Sequence, residues 1–226
     1  MDYHGHKEYF ETAYKTGSDT WPRMPIEIQG LKLMEQLPLE AMILDIGSGR
    51  GLFAKHMAEM GFRVIGLDFE GNIVKKANAE IKNWGLEGKL KFMEANVLDI
   101  PFTDASFDGA CDFGLLENLF KEDWETYAKE ITRILKPGGF YLNVSISRDT
   151  KNFFEFSPMA SKEGDFEKYG IYYHFFEKEE IRKIFQNKLS IISQENTPIK
   201  KPRDMILLET LLQKPPGQRP ATGEAK

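Results

Sequence analysis

Two acids and three glycines carry most of the chemical information in the sequence. Asp45-Ile46-Gly47-Ser48-Gly49-Arg50-Gly51 follows an apolar run that begins at Met42, and a helical pattern opens at Leu52. Glycines at a strand-to-helix junction permit a tight turn and let a ligand approach the main chain at the helix start. Asp68 closes the next apolar run, 23 residues after Asp45, where a carboxylate can accept both hydroxyls of a ribose. Together they point to an adenosine-like ligand in the crevice outside the strand ends. The dinucleotide pattern needs a third glycine at position 52, which is Leu52, and the Gly-Lys-Ser/Thr phosphate loop is absent. An acid two residues before the first glycine disfavours an anionic pyrophosphate. It favours a ligand carrying ammonium and sulfonium charges, as S-adenosylmethionine does.

The elements that must position these residues alternate. Short apolar runs are expected as strands at Met42–Ile46, Phe62–Asp68, Lys89–Met93, Phe107–Cys111 and Phe140–Ile146. Helical spacing predicts helices over Leu52–Met60, Asn72–Trp84 and Asp123–Leu135, with a turn at Lys136-Pro137-Gly138-Gly139. Strands alternating with such helices imply right-handed βαβ units and a parallel sheet. A helix is expected near Lys178–Gln186, then strands at Leu189–Gln194 and Met205–Leu212. The basic run Lys200-Lys201-Pro202-Arg203 falls between those two strands. Ahead of the alternating region, Tyr9, Phe10, Ala13 and Tyr14 fit one helix and Ile26–Leu37 a second, stopped by Pro38.

Four segments, in order, resemble the core of the class I S-adenosylmethionine-dependent methyltransferases. They are Leu44–Gly51, Asp68, the stretch Asn96–Phe102 with Ser106-Phe107-Asp108, and Arg133–Gly139. The resemblance implies an α/β fold: a doubly wound, mostly parallel seven-stranded sheet with helices on both faces, Rossmann-like, its last strand antiparallel, preceded by a short helical lead-in. It implies S-adenosyl-L-methionine as cofactor, held by Asp45, Gly47, Ser48, Gly49, Asp68, Phe69, Asn96, Val97 and Asp112. In that reading Gly47 and Gly49 lie against the methionine part, Asp68 holds the ribose diol and Phe69 packs on the adenine. Asn96 stands where the family commonly has Asp, so a charge-assisted bond to the adenine amino group becomes a neutral one. Val97 reaches the adenine through its backbone N–H, and Asp112 sits near the cofactor's amino-acid end.

Methyl transfer needs alignment more than acid–base machinery, because the cofactor arrives already activated. A base is required only when the acceptor arrives protonated; Glu117 and His174 are the candidates. Trp21, Arg23, Tyr172 and Tyr173 are candidate acceptor contacts. A cofactor-binding module without catalysis, or a partner subunit of the same fold, is the alternative reading. His4-Gly5-His6 offers too few ligands for a metal site, and none is expected.

Composition bounds the rest. The chain has 226 residues, 41% hydrophobic and 29% charged, with a net charge of −5, the balance of a globular protein and not of a general nucleic-acid binder. One cysteine, Cys111, excludes an intrachain disulfide. The first residues are polar, and nowhere is there an apolar run of membrane-spanning length, so a cytoplasmic protein with a small-molecule substrate, no nucleic acid and no membrane partner is expected. The expected organisation is a lead-in or lid over 1–40, a methyltransferase domain over 41–214 with a substrate-side insertion at about 147–188, and a disordered tail over 215–226. Oligomeric state is not legible.

Overall fold

The computed structural model describes residues 3–19, 30–150, 163–200 and 204–217. Among the described residues nine strands and six α-helices follow in the order α1 (His4–Thr16), α2 (Leu31–Met34), β1 (Met42–Ile46), α3 (Leu52–Glu59), β2 (Arg63–Asp68), α4 (Gly71–Trp84), β3 (Leu90–Glu94), β4 (Phe107–Phe113), α5 (Trp124–Ile134), β5 (Leu135–Ile146), β6 (Asp165–Lys168), β7 (Ile171–His174), α6 (Lys178–Phe185), β8 (Ser190–Ile199) and β9 (Met205–Gln213). Seven strands form one sheet in the order β3-β2-β1-β4-β5-β9-β8. The pairs from β3 to β5 are parallel, and β9 runs antiparallel between β5 and β8. The order reverses at β1, so the ends of β1 and β4 diverge into a crevice, where ligands of open α/β sheets bind.

Both sheet faces are covered, which is why the central strands read as unbroken apolar runs. Alternation within β1 sends Ile43 to one core, with Leu33, Phe53, Met57 and Phe92, and Leu44 to the other, with Tyr127, Ile131 and Phe185. Helix α4 starts where Glu70 accepts the N–H groups of Asn72 and Ile73, and it stops at Gly85 in the left-handed conformation. Helix α6 opens on a reciprocal capping box between Glu177 and Glu180.

The structure departs from the sequence reading in three places. The segment 136–139, expected as a turn, is drawn into β5, which already pairs with β4 at Leu135↔Phe107; the register shifts before Gly109. Exchange of hydrogen bonds between Gly138, Gly139 and Lys214 holds this irregular start from the other side. The aromatic insertion contains a hairpin, β6–β7, turned by Tyr169 and Gly170, both at positive φ (57° and 77°). Tyrosine rarely adopts that conformation, so the turn carries no clear sequence signal. Of the helix expected over Ile26–Leu37, the described part is helical at Leu31–Met34 only, and 26–29 lie outside the described residues. The expected disordered tail falls mainly on 218–226, also outside them. No described helix is long and apolar enough to cross a membrane.

Candidate active site

The glycine loop spends its own N–H groups on the protein. Gly47 and Ser48 both donate to Leu67 O at 2.8 Å, Gly49 donates to Asp68 Oδ2 at 2.9 Å, and Gly51 donates to Ser48 O at 2.8 Å. Gly47, Gly49 and Gly51 all sit at positive φ, which makes this folding-back possible. The consequence is chemical. A loop whose amides are already paired offers little to a phosphate; it offers acids.

Those acids are buried. Asp68, 2% exposed, uses its second oxygen to accept Glu70 N–H at 3.0 Å. Asp45, also 2% exposed, has Cys111 Sγ at 3.8 Å from Oδ1, while Oδ2 has no hydrogen-bond partner, and neither has Ser48 Oγ. Burial pushes Asp45 up to about 7, reinforced by the negative charges of Asp68 and Asp112. Burial likewise lifts Asp68 to about 6, against the pull of the Glu70 and Gly49 amides. Asp112 is pushed to about 6 by the same cause, opposed by Tyr127, Tyr141 and Asn143, all of which donate to it. Three carboxyls at one sheet end with raised pKa values constitute a site short of positive charge.

A cavity of about 690 Å³ opens above the loop. It brings together Asp45, Gly47, Ser48, Gly49, Asp68, Phe69, Asn96 and Val97. Asn96 Oδ1 accepts Leu98 N–H at 3.0 Å, so one of its acceptor lone pairs is engaged in the local turn. Asp112 is not on the wall; it is fully buried behind it.

The candidate bases also lie elsewhere. Glu117 is 1% exposed, accepts Ile146 N–H at 2.8 Å and does not line the cavity. Burial pushes it up to about 8 from an ordinary 4.5. A folded-state pKa above the unfolded one makes this group's contribution to stability complete below about 4.5 and lost as pH rises towards 8. Glu117→Gln, which keeps an acceptor for Ile146 but cannot ionise, is expected to flatten that decline in denaturant titrations across this range. An unchanged slope would remove Glu117 as its source.

His174 is fully buried, its ring nitrogens 2.6 Å from Asp165 Oδ1 and 3.1 Å from Glu180 Oε1, an arrangement that ties the β6–β7 hairpin to α6. Tyr172 stands one layer behind the wall: its N–H donates to His6 Nε2 at 3.2 Å and its carbonyl accepts from Asn118 Nδ2 at 2.9 Å. Tyr173 stacks on Phe166. Trp21 and Arg23 lie outside the described residues.

The sequence reading expected a lid from the lead-in but placed no site residue in α1. Tyr3, the residue before it, with Lys7, Phe10 and Tyr14, lines the cavity, and those four share one helical face. The helical spacing of Tyr9, Phe10, Ala13 and Tyr14 was the available signal, and it predicted the helix without the face it turns to the cavity. Arg50 holds the helix over the loop, donating to Tyr14 O at 2.8 Å and to both oxygens of Asp19 at 2.7 and 2.8 Å. His6, only 4% exposed, is held below its ordinary pKa by burial. Among the described residues no group of three or more His, Cys, Asp or Glu side chains is placed to hold a metal.

With this geometry in view, the comparisons are coherent. Residues 44–143 match the family model described as a methyltransferase domain. With the strand order above, the chain has the fold of the class I S-adenosylmethionine-dependent methyltransferases, and residues 44–143 carry the match to the methyltransferase domain. It is 29% identical over 156 residues to the ubiquinone/menaquinone biosynthesis C-methyltransferase UbiE of Pseudomonas fluorescens, covering 63% of this chain and 57% of that protein. It is 31% identical over 126 residues to the demethylmenaquinone methyltransferase of Desulfitobacterium hafniense, covering 54% and 48%. The chain thus spans about half the length of these curated relatives. Among solved structures, the 1,6-didemethyltoxoflavin-N1-methyltransferase of Burkholderia thailandensis, with bound 1,6-didemethyltoxoflavin and S-adenosylhomocysteine, superposes with a TM-score of 0.76 at 20% identity, covering 93% of this chain and 88% of that one.

Proposed function

We propose that the protein transfers a methyl group from S-adenosylmethionine to a small-molecule acceptor. The observation that carries this reading is the unpartnered Asp45 carboxylate oxygen beside a glycine loop whose amides are already paired. Such a cradle is complementary to a cation and indifferent to a phosphate. Asp45 faces the cofactor's positive charges, Asp68 accepts the ribose hydroxyls, Phe69 covers the adenine, and Asn96 with the Val97 amide reads its edge. Asp112 acts from behind as a fixed negative charge. When bound, the cofactor supplies an electrophilic methyl group on a sulfonium. The protein's part is to hold the acceptor in line and to exclude water, with α1 serving as the lid of the cavity. The quinone and toxoflavin methyltransferases above are named for small-molecule substrates, which supports the acceptor class.

Titration calorimetry with S-adenosylmethionine, S-adenosylhomocysteine and reduced nicotinamide dinucleotide tests the reading, followed by transfer of a labelled methyl group to a panel of small acceptors. Binding of the first two and not the third is expected, as is label in the panel. Binding with no label in any acceptor favours the non-catalytic alternative.

A pH dependence follows from the raised pKa values. In the free protein Asp45 and Asp68 still carry protons below about 7 and about 6. A cationic ligand needs them ionised, so S-adenosylmethionine affinity is expected to rise with pH through this window and to release protons on binding. Asp45→Asn should remove the upper part of the rise. A flat affinity profile from pH 5.5 to 7.5 would contradict the assignment of these acids, whose values set that range.

A further inference from the structure

Beyond the cofactor-facing residues, the cavity continues along the segment that follows β4. Leu115 packs against Gly47, close enough that a Cβ there would meet Leu115 Cδ1 at 2.6 Å. One 3₁₀ turn further on, Asn118 donates its backbone N–H to Leu115 O at 2.9 Å. Phe10 lines the cavity elsewhere, against Phe69, whereas this part is walled by Phe113, Leu115 and Leu119. It is a slot with aromatic and aliphatic sides, and the Phe113 ring is braced edge-on by Phe53, with ring centroids 3.8 Å apart.

Asn118 is polar, and unlike its neighbours Tyr3 and His6, whose polar atoms bond to Asp123, Phe120 N and Tyr172 N, it keeps an open acceptor. It is 8% exposed, and it lines the cavity. Its amide is fixed, because Nδ2 donates to Tyr172 O at 2.9 Å, and Tyr172 is in turn tied through its N–H to His6. Fixing the nitrogen fixes the oxygen. Among the described residues Oδ1 accepts no hydrogen bond, and it is not sealed from the cavity. An oriented acceptor in an apolar slot recognises one complement, an N–H or O–H donor on a ligand of otherwise apolar surface.

We propose that Asn118 Oδ1, set beside the apolar Phe113–Leu119 segment of the cavity wall, recognises a planar aromatic acceptor through a hydroxyl or ring N–H that it carries. This deepens the methyltransferase reading and rests on it. A ligand lacking the donor leaves Oδ1 desolvated and unpaired, so discrimination comes from the penalty on the wrong ligand as much as from the bond to the right one.

The test uses the protein saturated with S-adenosylhomocysteine and two probes, 1-naphthol and 1-methoxynaphthalene, which differ only in the donor. Binding of both is measured by calorimetry and by displacement of intrinsic tryptophan fluorescence. The naphthol is expected to bind about tenfold more tightly than its methyl ether. Asn118→Leu should abolish that preference, while Asn118→Gln, which keeps both an amide donor for Tyr172 O and an acceptor, should retain part of it; S-adenosylhomocysteine affinity should be the same in all three proteins. Equal affinity for the two probes, no binding of either, or a preference that survives Asn118→Leu would overturn the proposal, and the wild-type comparison decides it even if a variant fails to fold. Failure of S-adenosylhomocysteine itself to bind is a separate result, which overturns the methyltransferase reading instead.

Discussion

Asp68→Ala is expected to weaken S-adenosylmethionine binding by about 100-fold or more in titration calorimetry. The wild-type carboxylate is pinned at both oxygens, by the Gly49 and Glu70 amides, and so faces the cavity in a single orientation. A hydrogen bond to a charged group contributes about 1.5–3 kcal/mol, and a ribose diol makes two of them. Each 1.4 kcal/mol corresponds to about tenfold in affinity. The substitution also frees the Gly49 amide and loosens the loop on which Asp45 depends. Asp68→Asn, which keeps one acceptor oxygen, should fall between the two. Unchanged affinity in Asp68→Ala, with thermal melting showing a folded protein, would sink the assignment of this carboxylate to the ribose.

The second large effect concerns stability. Gly51 has φ 74° and lies against Phe92, so that a Cβ at this position would overlap the aromatic ring. Gly51→Ala therefore combines a left-handed backbone penalty of about 1–2 kcal/mol with an overpacking penalty of about 1–3 kcal/mol. A loss of about 2–5 kcal/mol is expected from urea unfolding, a large share of the stability of an ordinary domain. Gly85 supplies the control: its φ is 67°, and a Cβ there meets nothing within 4 Å. Gly85→Ala should show the backbone penalty alone. Equal losses at the two sites would show that Phe92 moves aside without resistance.

Much of the site was legible because its chemistry is local. Asp45, the three glycines and Asp68 lie at strand ends, and strand ends can be placed from apolar runs that stop at glycine or at an acid. Phe69, Asn96 and Val97 came instead from the resemblance; each lies just beyond a strand or in the turn after one, and all line the cavity. Asp112, Glu117 and His174 were harder. Type and position suggested that they meet the ligand, but a one-residue step reverses the direction of a side chain in a strand, as at Asp112, and swings it by about a third of a turn in a 3₁₀ helix, as at Glu117. Asp112 points to Tyr127, Tyr141 and Asn143, and Glu117 to the Ile146 amide. Their sequence neighbours Phe113 and Asn118 face the cavity instead.

The residues of α1 show a different limit. Tyr9, Phe10, Ala13 and Tyr14 read as one face of a helix, which tells that the helix packs but not on what; Tyr3 and Lys7 carried no signal of their own. Arg50 decides this, drawing Asp19 and the Tyr14 carbonyl onto the glycine loop across more than thirty residues of intervening chain. The β6–β7 hairpin was hidden for a related reason: the tertiary contacts through His174 and Lys121 hold Tyr169 in a turn its own preference disfavours. By itself, then, the sequence determined the alternating fold, the sheet's central strands and a glycine turn flanked by acids, because propensity, period and spacing act over a few residues; that the loop amides are already paired came from the structure. Only the tertiary structure decided which buried acids are at the wall and which behind it, and that the first helix closes the cavity. Those outcomes depend on long-range contacts, whose partners are set by packing and not by any local pattern.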